Sequence, residues 1–144
     1  MEIKDIRIFR GRNVYAMKPV IKLTVELTPA QHGPTSQVEG FNAKLLSLFP
    51  GLAAHRCGVG EEGGFVQRLQ EGTYPCHVAE HVILELQSML GYNVRYGTTR
   101  QEGGEPVYHI VYRYENEQVG VACGKAVVEL TDALLGGKSP ALAP

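Results

Sequence analysis

The sequence predicts a single α+β domain, in which one small sheet of about four strands, antiparallel or mixed, is covered on one side by helices. Two observations carry this reading. Residues 2–10, Val20–Leu27, Asn93–Tyr96 and Val107–Tyr114 read as strands near the two ends of a 144-residue chain. Between and after them the apolar spacing shifts toward a helical period, which gives the order β-β-α-α-α-β-β-α. The length fits one domain with an adequate core, and no internal repeat is present.

Taken in order, Ile3, Ile6 and Ile8 stand among charged neighbours, with Phe9 after them, and Gly11-Arg12-Asn13 reads as a turn. Val20–Leu27 (V-I-K-L-T-V-E-L) alternates cleanly and forms the second strand. Thr28–Gly40 is rich in prolines, glycines and small polar residues and reads as a loop. Phe41, Leu45, Leu48 and Phe49 have helical spacing, and Pro50-Gly51 ends that helix. His55–Gly64 contains a literal G-x-G-x-x-G, yet no hydrophobic strand precedes it, and Glu61 and Glu62 would repel a pyrophosphate. The stretch reads as a flexible loop before a short helix over Gly64–Gln70. Asn93–Tyr96 and Val107–Tyr114 form a hairpin around Gly103-Gly104, with Tyr108, Ile110, Tyr112 and Tyr114 on one face. His109, on the other face, reads as a strand-surface residue. Glu117–Leu135 is the last helix, and 136–144 (G-G-K-S-P-A-L-A-P) has linker composition, so the domain is expected over 1–135.

The remaining helix, Pro75–Leu90, organises the rest. Val78, Ala79, Val82, Ile83, Leu86, Met89 and Leu90 fall on one apolar face, and His77, Glu80, His81, Glu85 and Ser88 on the opposite one. Pro75 suits the first turn and Gly91 the position just past the end. His77 and His81 project from the same side one turn apart, so their nitrogens can converge on one cation. His77-x-x-Glu80-His81 is the metalloprotease helix motif H-E-x-x-H read backwards. In such a site the two histidines bind Zn²⁺, and the glutamate beside one of them acts as general base. Glu85, four residues beyond His81, is the first candidate for a third ligand, with Glu115, Glu117 and Glu129 as more distant ones. The polar side of an ordinary half-buried helix would carry the same residue types, and that reading stays open. Leu84 amid the polar face argues for a partly covered groove. Arg56 and Arg68 could face a ligand, or simply be solvated.

The composition narrows the classes. Hydrophobic residues make up 44% and charged residues 20%, as in a globular domain. A net charge of −1 gives no footprint for nucleic acid or for an anionic membrane. No apolar run approaches the roughly 18 residues needed to span a bilayer, and the N-terminus lacks a secretory h-region. Cys57, Cys76 and Cys123 lack a C-x-x-C pair and read as reduced thiols of a cytoplasmic protein.

Several runs together resemble the N-terminal domain of cyanophycin synthetases. They are Arg10-Gly11-Arg12-Asn13-Val14-Tyr15; His55-Arg56-Cys57; Gly63-Gly64-Phe65-Val66-Gln67-Arg68-Leu69 with Gly72-Thr73; and His77 through Gln87. Gly97-Thr98-Thr99-Arg100, Tyr114-Glu115 and Gln118-Val119-Gly120 continue the match in order. Thr98 departs from the resemblance, which has arginine in a G-R-T-R pattern. The resemblance implies an ATP-dependent amide ligase that builds a poly-aspartate backbone with arginine on each side chain. Its ATP and Mg²⁺ would belong to an ATP-grasp-like and a Mur ligase-like domain beyond the tail, so this chain is not expected to make polymer alone. The full-length enzyme is expected to be an oligomer.

The resemblance implies two roles for the domain itself. One is a polymer-binding module whose Glu and Arg side chains pair with the zwitterionic units of cyanophycin. The other adds a metallopeptidase that cuts the polymer internally to make primers, with His77 and His81 as metal ligands, Glu80 as general base and Glu85 as third ligand. Arg100 and Arg68 are then expected to contact substrate carboxylates.

Overall fold

The computed structural model describes residues 1–56 and 61–136. Four strands, β1 (Glu2–Phe9), β2 (Val20–Glu26), β3 (Gly97–Gln101) and β4 (Val107–Arg113), form one sheet in the order β1-β2-β4-β3. Every neighbouring pair is antiparallel. Four α-helices accompany it: α1 (Phe41–Leu48), α2 (Gly64–Glu71), α3 (Pro75–Met89) and α4 (Glu117–Leu135). The architecture is the expected α+β domain, with a wholly antiparallel sheet.

Period-2 alternation decides which face is covered. Ile21, Leu23 and Val25 of β2 and Ile110 and Tyr112 of β4 enter the buried core with Val78, Val82 and Ile83 of α3 and Val127, Val128 and Leu134 of α4. The register pairs Leu23 with Ile110 and Ile21 with Tyr112, so these side chains share one side of the sheet. His109 lies on the other face, where its Nδ1 is 3.2 Å from Thr24 Oγ1, as a strand-surface residue would. A register shift between Ile3 and Asp5 keeps Ile3 and Ile6 both directed at the core in spite of their three-residue spacing.

The one misplaced element is β3. Strand pairing was expected over Asn93–Tyr96, but it begins at Gly97. Val94 is instead buried as a plug in the core, and Asn93 N–H donates to the Glu115 carboxylate at 2.8 Å. Thr98, Thr99 and Arg100 pair with Val111, Ile110 and His109. An edge strand beside a polar cleft need not be apolar, so its sequence lacks the alternation that identifies a strand. Gly103 and Gly104 turn the hairpin at φ 47° and 82°, as the sequence indicates.

Helix α3 begins with Pro75 at its first turn and is followed by Gly91 at φ 98°, both as expected. Its burial differs from a two-faced helix. Cys76, Glu80, His81, Leu84 and Gln87 are buried along with the apolar face, whereas Met89 and Leu90 are more than half exposed where the helix leaves the core. Cys76 and Cys123 are free and buried. Cys57, most of the G-x-G-x-x-G loop and the tail beyond Gly136 lie outside the described residues.

Candidate functional site

Helix periodicity places His77, Glu80 and His81 on one side of α3, and the tertiary fold covers that side rather than leaving it in solvent. The ligand atoms of these three residues all lie within 4.8 Å of one another. Phe65 of α2 stacks on the His81 ring, with centroids 4.0 Å apart and planes 18° from parallel, and meets His77 edge-on. The two imidazoles are nearly perpendicular, 4.8 Å apart. Glu80 and His81 are each only 5% exposed, so two polar groups are held in a desolvated pocket and need partners.

The partners come from distant parts of the chain. Thr99 Oγ1 on β3 donates to Glu80 Oε1 at 2.7 Å, and Glu80 Oε2 is 3.7 Å from His81 Nε2. Thr73 Oγ1 is 2.7 Å from His77 Nδ1. His55, just past the 3₁₀ turn Pro50–Ala54, places Nδ1 3.1 Å from His81 Nδ1 and Nε2 3.0 Å from Glu85 Oε1. Gly97 allows the close approach of β3, since a Cβ there would lie 2.8 Å from Glu80 Cγ.

Electrostatics follow from the burial. Desolvation pushes the Glu80 carboxyl up to about 7, against the Thr99 hydrogen bond that favours the ionised form. Desolvation, followed by the charges of His77 and His55, holds His81 down to about 3. His77 is lowered by burial and then by Arg68. Both imidazoles are therefore neutral at pH 7, the state in which a ring nitrogen ligates a cation.

The cluster sits where two grooves meet. A groove of about 760 Å³ is lined by Arg56, Glu62, Glu85 and Arg95 together with the cluster. A second, of about 500 Å³, is lined by Arg68, Glu71, Tyr74 and Gln101, and it shares His77 and Thr99 with the first. The covered groove expected from Leu84 is thus present, with Leu84 in its wall.

The other sequence candidates are dispersed. Arg56 and Arg68 line the two grooves. Arg100 follows Thr99 on β3, pairs with His109 and is exposed, and it is not among the residues that line either groove. Glu85 lies outside the group of three and bonds His55. Glu115 caps the Asn93 N–H, Glu117 pairs with Arg10, and Glu129 lines a separate surface hollow with β1. His55, Phe65, Thr73 and Thr99 also shape the site, although no local motif marks them. All four occur in the runs that carry the family resemblance, and that was the available signal.

The fold and the site together define a small α+β domain with an H-x-x-E-H donor cluster at the junction of two polar grooves. A family model, the cyanophycin synthase-like N-terminal domain, matches residues 22–136, and the chain belongs to this family. It is similar to the cyanophycin synthetase of Synechocystis sp., at 36% identity over 137 residues, which cover 94% of this chain. It is also similar to the cyanophycin synthetases of Crocosphaera subtropica and Geminocystis herdmanii, at 34% and 32% identity. The chain spans only about 16% of the length of these relatives. Among the described residues, no helix is long and apolar enough to cross a membrane.

Proposed function

We propose that this domain binds cyanophycin in its double groove and hydrolyses the polymer internally in a metal-dependent reaction that leaves short primer chains. The observation that carries the reading is the meeting of His77, Glu80 and His81 within 4.8 Å at the junction of the grooves. Two neutral imidazoles one helical turn apart suit a divalent cation such as Zn²⁺. His77 and His81 would hold it, and when bound it would supply Lewis acidity to the scissile amide. Glu80 is placed to take a proton from the attacking water and return it to the leaving amine. Thr99 fixes its carboxylate, and Phe65 covers one face of the His81 ring. Arg56 in the larger groove and Arg68 in the smaller would pair with polymer carboxylates, and Glu62 and Glu71 with its guanidinium groups. In a full-length cytoplasmic, oligomeric synthetase, the partners of this domain would be ATP-grasp-like and Mur ligase-like domains.

A second reading is a polymer anchor without hydrolysis. The observation favouring it is that both grooves carry charges of both signs, which suits a zwitterionic chain whatever the cluster does. Incubation with purified cyanophycin, with and without a chelator, separates the two by polymer length on a gel. Shortening that the chelator stops and that Glu80→Gln reduces by about 10²–10⁴-fold is expected, with polymer binding retained. Unchanged length with Zn²⁺ supplied, together with weaker binding in Arg56→Ala and Arg68→Ala, would leave only the anchor.

A further inference from the structure

His55 is held more firmly than a groove-lining side chain needs to be. Its backbone N–H donates to Leu52 O at 3.0 Å, and its carbonyl accepts from Phe65 N–H at 3.2 Å, which joins the 3₁₀ turn to the start of α2. Its ring is 18% exposed and the Glu85 side chain 13%. Gly51 walls in the other side of Glu85, because a Cβ there would lie 2.0 Å from Glu85 Oε2. The carboxylate is therefore confined against His55 Nε2, and His55 Nδ1 against His81 Nδ1.

Hydrogen-bond direction then follows from the inventory of donors. An ionised carboxylate only accepts, so His55 Nε2 carries the hydrogen. With a single ring hydrogen on Nε2, His55 offers an acceptor at Nδ1, 3.1 Å from His81 Nδ1, and that contact is a hydrogen bond when His81 carries its hydrogen on Nδ1. That leaves the lone pair of His81 on Nε2, the nitrogen on the Glu80 side. We infer that His55, oriented by Glu85, is the positioning residue that fixes His81 in its Nδ1–H tautomer and presents Nε2 to the cation, an inference that rests on the metal-site reading above. Glu85 acts through His55 in this arrangement and is not itself a ligand.

Two measurements on the folded domain test this. In the chelator-treated protein near pH 8, long-range ¹H–¹⁵N correlation spectra read the His81 tautomer directly, with the ring assigned by comparison with His81→Gln. The wild type is expected to show His81 protonated at Nδ1 alone. His55→Ala should shift His81 toward the Nε2–H form, and His55→Gln, whose amide oxygen can still accept, should largely restore the first. Gly51→Ala, which pushes Glu85 off His55 without altering either side chain, should give an intermediate mixture. Titration with Co²⁺ is the second measurement, and dissociation constants about 10–100-fold higher are expected for His55→Ala. Glu85→Ala should weaken binding by no more than His55→Ala, with an unchanged ligand-field spectrum. An unaltered His81 tautomer in His55→Ala would overturn the inference. So would a Glu85→Ala variant that loses far more Co²⁺ affinity than His55→Ala and changes the spectrum, since Glu85 would then be a ligand. No Co²⁺ binding by the wild type would sink the metal-site reading, while the tautomer spectra would still decide the role of His55.

Discussion

Glu80 and His81 are buried side by side, and in the metal-free domain they respond to pH in opposite directions. Below about 4.5 Glu80 is protonated in both folded and unfolded chains; between there and its folded value of about 7 only the unfolded chain ionises, so stability falls as pH rises. His81 is neutral in both states above 6.5, and between 6.5 and about 3 only the unfolded chain takes up the proton, so stability falls as pH falls. Over roughly pH 4.5–6.5 the two slopes oppose each other, each about 1.4 kcal/mol per unit. The pair therefore contributes little net pH dependence there. Glu80→Gln removes one slope, so its stability should rise with pH across that window while that of the wild type stays comparatively flat. Urea midpoints at pH 5 and pH 6.5 in the presence of chelator check this; parallel behaviour of the two proteins would contradict the assignment of the burial cost.

Helix α4 shows how an element is docked through small residues. Tyr112 of β4 is fully buried, and its hydroxyl donates to Gly120 O at 2.8 Å. A Cβ on Gly124 would lie 2.3 Å from that hydroxyl and 3.1 Å from Leu23 Cδ1, so the helix reaches the sheet only because both positions lack side chains. In an isolated helix Gly124→Ala would gain up to about 1 kcal/mol in propensity. Overpacking costs about 1–3 kcal/mol, and displacing the tyrosine hydroxyl from its acceptor costs about 1 kcal/mol more. Packing wins, and a net loss of about 1–3 kcal/mol is expected, read as a lower denaturant midpoint with an unchanged slope. At its other end α4 is capped by Asn116, whose side chain accepts from Val119 N–H at 3.0 Å.

On the scale of the whole molecule, the site is a junction. α2 supplies Phe65, the 3₁₀ turn His55, α3 the donor cluster and β3 Thr99, so a cation held by His77 and His81 would tie together elements far apart in sequence. A ligand that binds only the folded state stabilises it by about 2.7 kcal/mol at a concentration 100-fold above Kd. For a domain of this size that corresponds to a rise in Tm of roughly 5–10 °C on adding Zn²⁺. His77→Ala should abolish the rise, and an equal rise in that variant would place the cation elsewhere.

Local pattern in the sequence determined the α+β class, the extent of α4 to the residue, and the convergence of His77, Glu80 and His81, because each depends on residues within one or two turns or on alternation along one strand. The caps of α3 were equally legible from Pro75 and Gly91. The edge strand β3 was not, because Gly97–Gln101 is polar and is recognisable as a strand only beside β4. Arg100 was legible as a basic residue but not as one outside the lining of the grooves, since its position depends on the register of β3. His55, Phe65, Thr73 and Thr99 could not be assigned roles because their contacts with α3 are tertiary, as in the pairing of His55 with a carboxylate 30 positions away. The sequence by itself determined which donors exist and that a helix aligns them. Only the tertiary structure decided that they are buried, which groups orient them and where the two grooves meet, because burial and hydrogen-bond partners depend on which distant segments pack against that helix.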